Sequence, residues 1–289
     1  MVVPGSTPAI NRPAGDPDSG EYGRPAAVRW SPFNLTTNNQ WNAGDVPVRG
    51  GVEVQYPTQA GALFQWVSTS NPRRAWAPWN TVTTGWVNAT PPGNWGATNT
   101  TANQSANINL RDEHETCPVG WRRPTDGRIE GDNTALNTAA SDILLSEMRQ
   151  SLFLNPGVSN FSSNESNAVF GAYADGFFDR RGRMHPHGSN TGGNESAVSR
   201  DTADLAVRGT LFFNPHSGAS LFLPATGHRN RHGGLSLVGL RGFIWSSTQG
   251  GDTLAAWSLQ FDSSDTHVRG NQGTNSERLY GFSIRCVAE

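Results

Sequence analysis

Only one stretch of this chain places apolar residues at helical spacing. Ala139, Ile143, Leu144, Met148 and Leu152 fall on one side of a helix read over Thr138–Leu154, and Pro156 and Gly157 end it. Elsewhere apolar residues come in short runs fenced by Gly, Asn, Asp and Pro. Strands are read at Val28–Leu35, Ala168–Tyr173, Thr210–Phe213, Ser220–Leu223, Gly242–Ser246, Ala255–Phe261 and Phe282–Val287, and between the first two of these, short apolar runs alternate with turn residues at Val52–Tyr56, Ala62–Val67, Trp76–Trp79 and Trp86–Val87. One mid-chain helix with strands on both sides predicts an α+β fold.

The composition agrees with a small core wrapped in long loops. Hydrophobic residues make up 35% of the 289, and 33 are Gly. Residues 1–27 are rich in Pro, Gly and Asp and read as an extended arm or linker; residues 28–289 read as one domain. All 22 basic residues are Arg. The lack of Lys removes Schiff-base chemistry, lysine bases and a P-loop lysine. A net charge of -2 gives no bulk field that would recruit nucleic acid, so no nucleic-acid partner is expected. No stretch is long and apolar enough to span a bilayer, so no direct membrane insertion is expected. The first 25 residues have no apolar core of a signal peptide.

Three blocks carry a family resemblance. They are Thr116-Cys-Pro-Val-Gly-Trp-Arg-Arg-Pro-Thr125, then Leu221-Phe-Leu-Pro-Ala-Thr-Gly-His-Arg229, then Gly242-Phe-Ile-Trp-Ser-Ser-Thr248 with Ala256–Phe261 and Tyr280–Val287. In this order they resemble the major paralogous domain first named from Fibrobacter, and the variable proteins of diversity-generating retroelements. Ala60–Trp66 and Ala75–Trp79 resemble the early part of the same proteins. The resemblance spans residues 28–289. It implies a C-type-lectin-like fold, related to that of formylglycine-generating enzymes, in which the first and last strands pair. It also implies binding through surface side chains, with no catalysis and no cofactor.

Cys117 and Cys286 both lie in these blocks. The pairing of terminal strands implies a disulfide between them, closing a loop of about 170 residues. Two buried free thiols in a reducing compartment are the alternative. A bridge fits an extracellular or cell-surface setting, or a phage particle.

Few residues invite a reaction. His185-Pro-His187 and His228-Arg-Asn-Arg-His232 lack the spacing of a zinc motif and read as solvated loop residues, so no metal is expected. The Glu-Pro-Asn, Gln-Pro-Asp and Trp-Asn-Asp triplets of calcium-dependent lectins do not occur, and Asp252, Asp262 and Asp265 read as turn formers. There is no Gly-x-Ser-x-Gly elbow, Walker motif or dinucleotide fingerprint.

Residues 235–287 hold the expected binding region. Trp245, Trp257, Phe261 and Gly281–Cys286 read as its frame. Leu237, Leu240, Arg241, Phe243, Ser258, Asp262, Asp265, His267, Arg269, Asn271, Arg278 and Leu279 read as its ligand-binding positions, and the resemblance implies that a retroelement diversifies positions in this region. Arg241, Phe243, Asp262, His267, Arg269 and Leu279 are expected on one solvent-facing surface, with Trp245, Trp257 and Phe261 beneath. Phe243 and Trp245 are two apart, so this placement requires a break in the strand, which Gly242 would permit. The alternative is that Leu237, Leu240 and Phe243 cover the core. The expected partner is a protein or glycan ligand on another cell or surface. A formylglycine-generating type of enzyme and a purely structural surface component are the competing readings.

Overall fold

The computed structural model describes residues 28–36, 49–66, 73–74, 115–125, 147–152, 171–175, 208–213, 220–249, 256–262, 266–269 and 278–289. The expected arm and most of the expected helix lie outside them.

The elements in chain order are β1 (Trp30–Thr36), β2 (Val52–Glu53), β3 (Ala62–Leu63), β4 (Arg73–Arg74), β5 (Trp121–Arg122), α1 (Glu147–Leu152), β6 (Gly171–Asp175), β7 (Arg208–Phe213), β8 (Ser220–Pro224), β9 (His228–Arg229), β10 (Leu235–Ser236), β11 (Gly242–Gln249), β12 (Ala256–Phe261), β13 (Thr266–Arg269) and β14 (Arg285–Ala288). This corrects the expected fold class. Among the described residues there are fourteen strands and one helix of 6 residues. The described part of the chain is therefore not α+β, and the C-type-lectin-like expectation falls with that class. The physical reason is the source of the core. Only Met148 and Leu152 of α1 enter the hydrophobic clusters; nearly everything else comes from strands and the segments that continue them.

The strands form antiparallel ladders: β2-β1-β14-β5, β11-β12-β13, β6-β7-β8, β10-β9 and β3-β4. The first and last strands do pair, through Trp30↔Val287 and Asn34↔Arg285. The Cys117–Cys286 disulfide ties β14 to the segment entering β5, with Cα atoms 6.0 Å apart and both residues fully buried. Glu115 frames that segment. Its carboxylate accepts from the backbone N–H of Cys117 at 2.9 Å and of Arg123 at 3.0 Å.

β11 runs between two apolar clusters. Ile244 joins one, with Trp30, Leu223, Leu259 and Phe261. Phe243 and Trp245 join the other, with Phe64, Trp66, Phe282 and Ile284. Residues on alternate faces of a strand are thus all buried. The β11–β12 register is regular from Gly242↔Phe261 to Trp245↔Ser258, and its irregularity falls between Trp245 and Gln249. The break expected at Gly242 is absent. Phe243 and Trp245 share one buried face, as two-residue spacing dictates.

Candidate functional site

Two turns beside the core carry the surface of interest. The first closes the β9–β10 hairpin, in which Ser236 lies opposite His228 and Leu235 opposite Arg229. Asn230 builds its tip: the side-chain oxygen accepts from the backbone N–H of His232 at 2.9 Å and of Gly234 at 3.0 Å. This Asx geometry is what Asn favours in turns, and it leaves Arg231 and His232 exposed. Arg229 donates from its guanidinium to Gly233 O at 2.7 Å, and its main chain exchanges two hydrogen bonds with Gly281. The hairpin is thereby fixed to the segment leading into β14.

The second turn runs from Leu237 to Arg241. Leu237 O accepts from the N–H groups of Leu240 and Arg241, both at 3.0 Å. Gly239 N–H donates to Ala225 O, and Gly227 N–H to Arg241 O, each at 2.8 Å. Gly227 has φ +67°, and a Cβ there would strike Ser236 O, so glycine lets the turns approach. Leu237 holds φ 58°, a region that non-glycine residues seldom occupy.

Beneath the turns lies a ring cluster. His228 stands edge-on to Phe243 at 4.7 Å, and 5.4 Å from Tyr280 and 6.1 Å from Phe282. Phe282 stacks on Phe243 at 4.8 Å and on Trp245 at 4.0 Å. Such pairs add about 0.5–1.5 kcal/mol each beyond burial. His228 is only 4% exposed. Burial, then the positive charge of Arg241, pushes its imidazole down to about 3. Its Nδ1 has no hydrogen-bond partner among the described residues.

The structure gathers some of the expected binding residues and separates others. Leu237, Leu240, Arg241 and Asp262 are all half-buried, and Arg241 pairs with Asp262 at 2.5 Å. Phe243 and Leu279 are buried, which corrects their expected place on a solvent-facing surface, and Ser258 and Arg278, two further expected binding positions, are buried as well. Phe243 is buried because β11 is covered on both faces. Ser258 lies opposite Trp245 and shares that covered face. Arg278 has its guanidinium 5.0 Å from the centre of the Trp66 ring. The segment holding Arg278 and Leu279 is drawn inward because its carbonyls accept from Trp66 N–H and from the Gln65 side chain. His267 and Arg269 sit in β13 opposite Gln260 and Ser258. Their side chains, with Asp265 and Asn271, lie outside the described residues, as do Asp252, His185 and His187.

His228 and Tyr280 were not among the expected binding residues. The sequence places His228 in a solvated loop; the structure corrects this and buries it against three aromatic rings. The signal for its burial is the apolar sequence of the strand Ser220–Pro224, which ends four residues before it. Among the described residues no group of three metal-binding side chains comes together, and no helix is long and apolar enough to cross a membrane. No protein family, curated protein or solved structure matches the chain.

Proposed function

We propose that this protein is a non-enzymatic binding protein displayed on a cell or phage surface, taking a protein or glycan ligand on the Leu237–Arg241 turn and its surroundings. The observation that carries this reading is the pairing of two half-exposed leucines, Leu237 and Leu240, with the Arg241–Asp262 ion pair on a turn fixed by backbone hydrogen bonds. An apolar centre with a charged border on a rigid support is how protein interfaces concentrate affinity. The buried disulfide fits an oxidising compartment. The three sequence blocks that resemble retroelement variable proteins favour a diversified surface, and a reverse-transcriptase gene beside a near-copy of the codons for residues 235–287 would support that part. The formylglycine-generating alternative needs a reactive thiol, whereas both cysteines of the chain are cross-linked and buried.

The test begins with the oxidised chain on a glycan array and a displayed peptide library. Each hit is then measured against Leu240→Asp. Affinity is expected to fall at least ten-fold, about 1.4 kcal/mol, with the melting temperature unchanged. Hits that bind Leu240→Asp as tightly as the parent chain place recognition elsewhere.

A further inference from the structure

His228 leaves a polar atom unaccounted for. Its ring is enclosed by Phe243, Tyr280 and Phe282, and Nδ1 is buried without a hydrogen-bond partner among the described residues. Buried polar atoms are nearly always paired, so an unpaired one asks what completes it. The neighbouring turn has a second irregularity. Leu237 follows Ser236, the residue opposite His228, and packs half-exposed against the same cluster while holding φ 58°. Leucine is strained there and glycine would not be. The backbone on both sides is anchored through Gly227, Gly239 and Arg241, so a change in the Leu237 side chain opens this place without moving the turn.

We propose that Leu237 covers a niche with His228 Nδ1 at its floor and Phe243 and Tyr280 as walls, and that the niche takes a phenolic ring such as a tyrosine side chain of the ligand. This rests on the reading of the surrounding turn as a binding surface, and it deepens it by naming the chemical class. Aromatic walls accept a ring edge-on or offset. One floor atom matches one hydroxyl, which donates to the Nδ1 lone pair when the imidazole proton sits on Nε2. A sugar would bring several hydroxyls into an apolar niche and leave most of them unpaired. A cationic side chain is disfavoured because Arg241 already places positive charge near His228. Burial keeps the imidazole neutral and able to accept at neutral pH.

The probes are 4-methylphenol and toluene, which differ by the hydroxyl alone. They are titrated at pH 7 into the oxidised full chain and into Leu237→Gly, with Leu237→Ala as the second variant if the glycine chain loses its native circular dichroism. The readout is the nitrogen chemical shift of the His228 imidazole, with the dissociation constant alongside. The expected result is a shift at His228 Nδ1 with 4-methylphenol and none with toluene, binding at least five-fold tighter in the opened variant, and loss of the preference in His228→Phe. Equal binding of the two probes, binding that leaves the His228 nitrogens unmoved, or no binding to the parent and opened chains overturns the niche. If the niche fails while Leu240→Asp still loses ligand, the binding surface stands and only the phenol assignment falls.

Discussion

Replacing Cys117 and Cys286 with alanine removes one covalent cross-link and two buried sulfur atoms from the join between β14 and the segment entering β5. The linked residues are 169 apart. In the chain-entropy treatment, a loop of that length restricts the unfolded chain by about 5 kcal/mol. The lost side-chain packing adds about 1 kcal/mol for each sulfur. Domains of this kind are stable by about 5–15 kcal/mol in total, so the double variant should keep only part of its stability or fail to fold at body temperature. Urea unfolding of the oxidised parent and of Cys117→Ala/Cys286→Ala measures this. The midpoint should fall by an amount equivalent to about 5–7 kcal/mol, while the native near-ultraviolet spectrum of the variant at low temperature matches the parent. Because both cysteines are fully buried, dithiothreitol should reduce the native parent only as fast as it opens. Two thiols titrating in the denatured, unreduced parent would show that the bond does not form. A midpoint change equivalent to less than 1 kcal/mol would show that the long loop is not what the bridge restrains.

His228 gives a pH prediction with a definite sign. Its imidazole titrates at 6.5 when unfolded and at about 3 when folded, so between these values the unfolded chain holds a proton that the folded chain lacks. Stability is therefore fully present above pH 6.5 and is lost as pH falls toward 3, by at most about 5 kcal/mol. His228→Phe should flatten the urea midpoint over pH 6.5 to 3.5, and equal slopes in both chains would count against the buried neutral state. Gly242→Ala should cost about 1–3 kcal/mol or more in thermal unfolding, because a Cβ there runs into the buried Phe261 ring across the β11–β12 ladder. A neutral substitution would mean that the ring is free to move aside.

Local chemistry was legible in the sequence where it depends on neighbours along the chain. The expected strand Ala255–Phe261 is Ala256–Phe261, and Trp257, Leu259 and Phe261 share one cluster as their spacing required. Gly242–Ser246 extends to Gly242–Gln249, and the two cysteines meet. What stayed hidden depends on what covers a face. Alternation puts Phe243 with Trp245 and apart from Ile244, but it cannot say that both faces of β11 are covered. The burial of His228 is set by Phe243, Tyr280 and Phe282, which arrive from two distant segments. A histidine amid Gly and Arg gives no local sign of that enclosure. The spacing over 138–154 predicts a helical layer; of that range the structure describes residues 147–152, which form a helix and contribute two residues to the core.

The absence of Lys acquires a structural meaning once the buried cations are located. Several ladders are only 2 residues long, so strand pairing alone gives little to hold the elements together. Guanidinium groups bond backbone oxygens across the gaps. Arg123 reaches Trp66 O and the Thr116 hydroxyl. Arg285, in β14, reaches Phe222 O in β8 at 2.9 Å and Ser31 O in β1 at 3.4 Å. Arg229 holds Gly233 O. Burial lowers Arg123 to about 10 and Arg285 to about 9, and both remain charged at neutral pH. A planar fork of donors can bind two carbonyls in different elements at once, whereas an ammonium group concentrates its charge at one point. The consequence reaches the proposed binding surface. The Leu237–Arg241 main chain is held by Ala225, Gly227 and its own turn bonds, and the hairpin beside it by Arg229 and Gly281. None of these bonds uses the side chains of Leu237, Leu240 or Arg241. Side chains there can change while the backbone that presents them stays in place, the condition a surface must meet if recognition is to vary without loss of the fold.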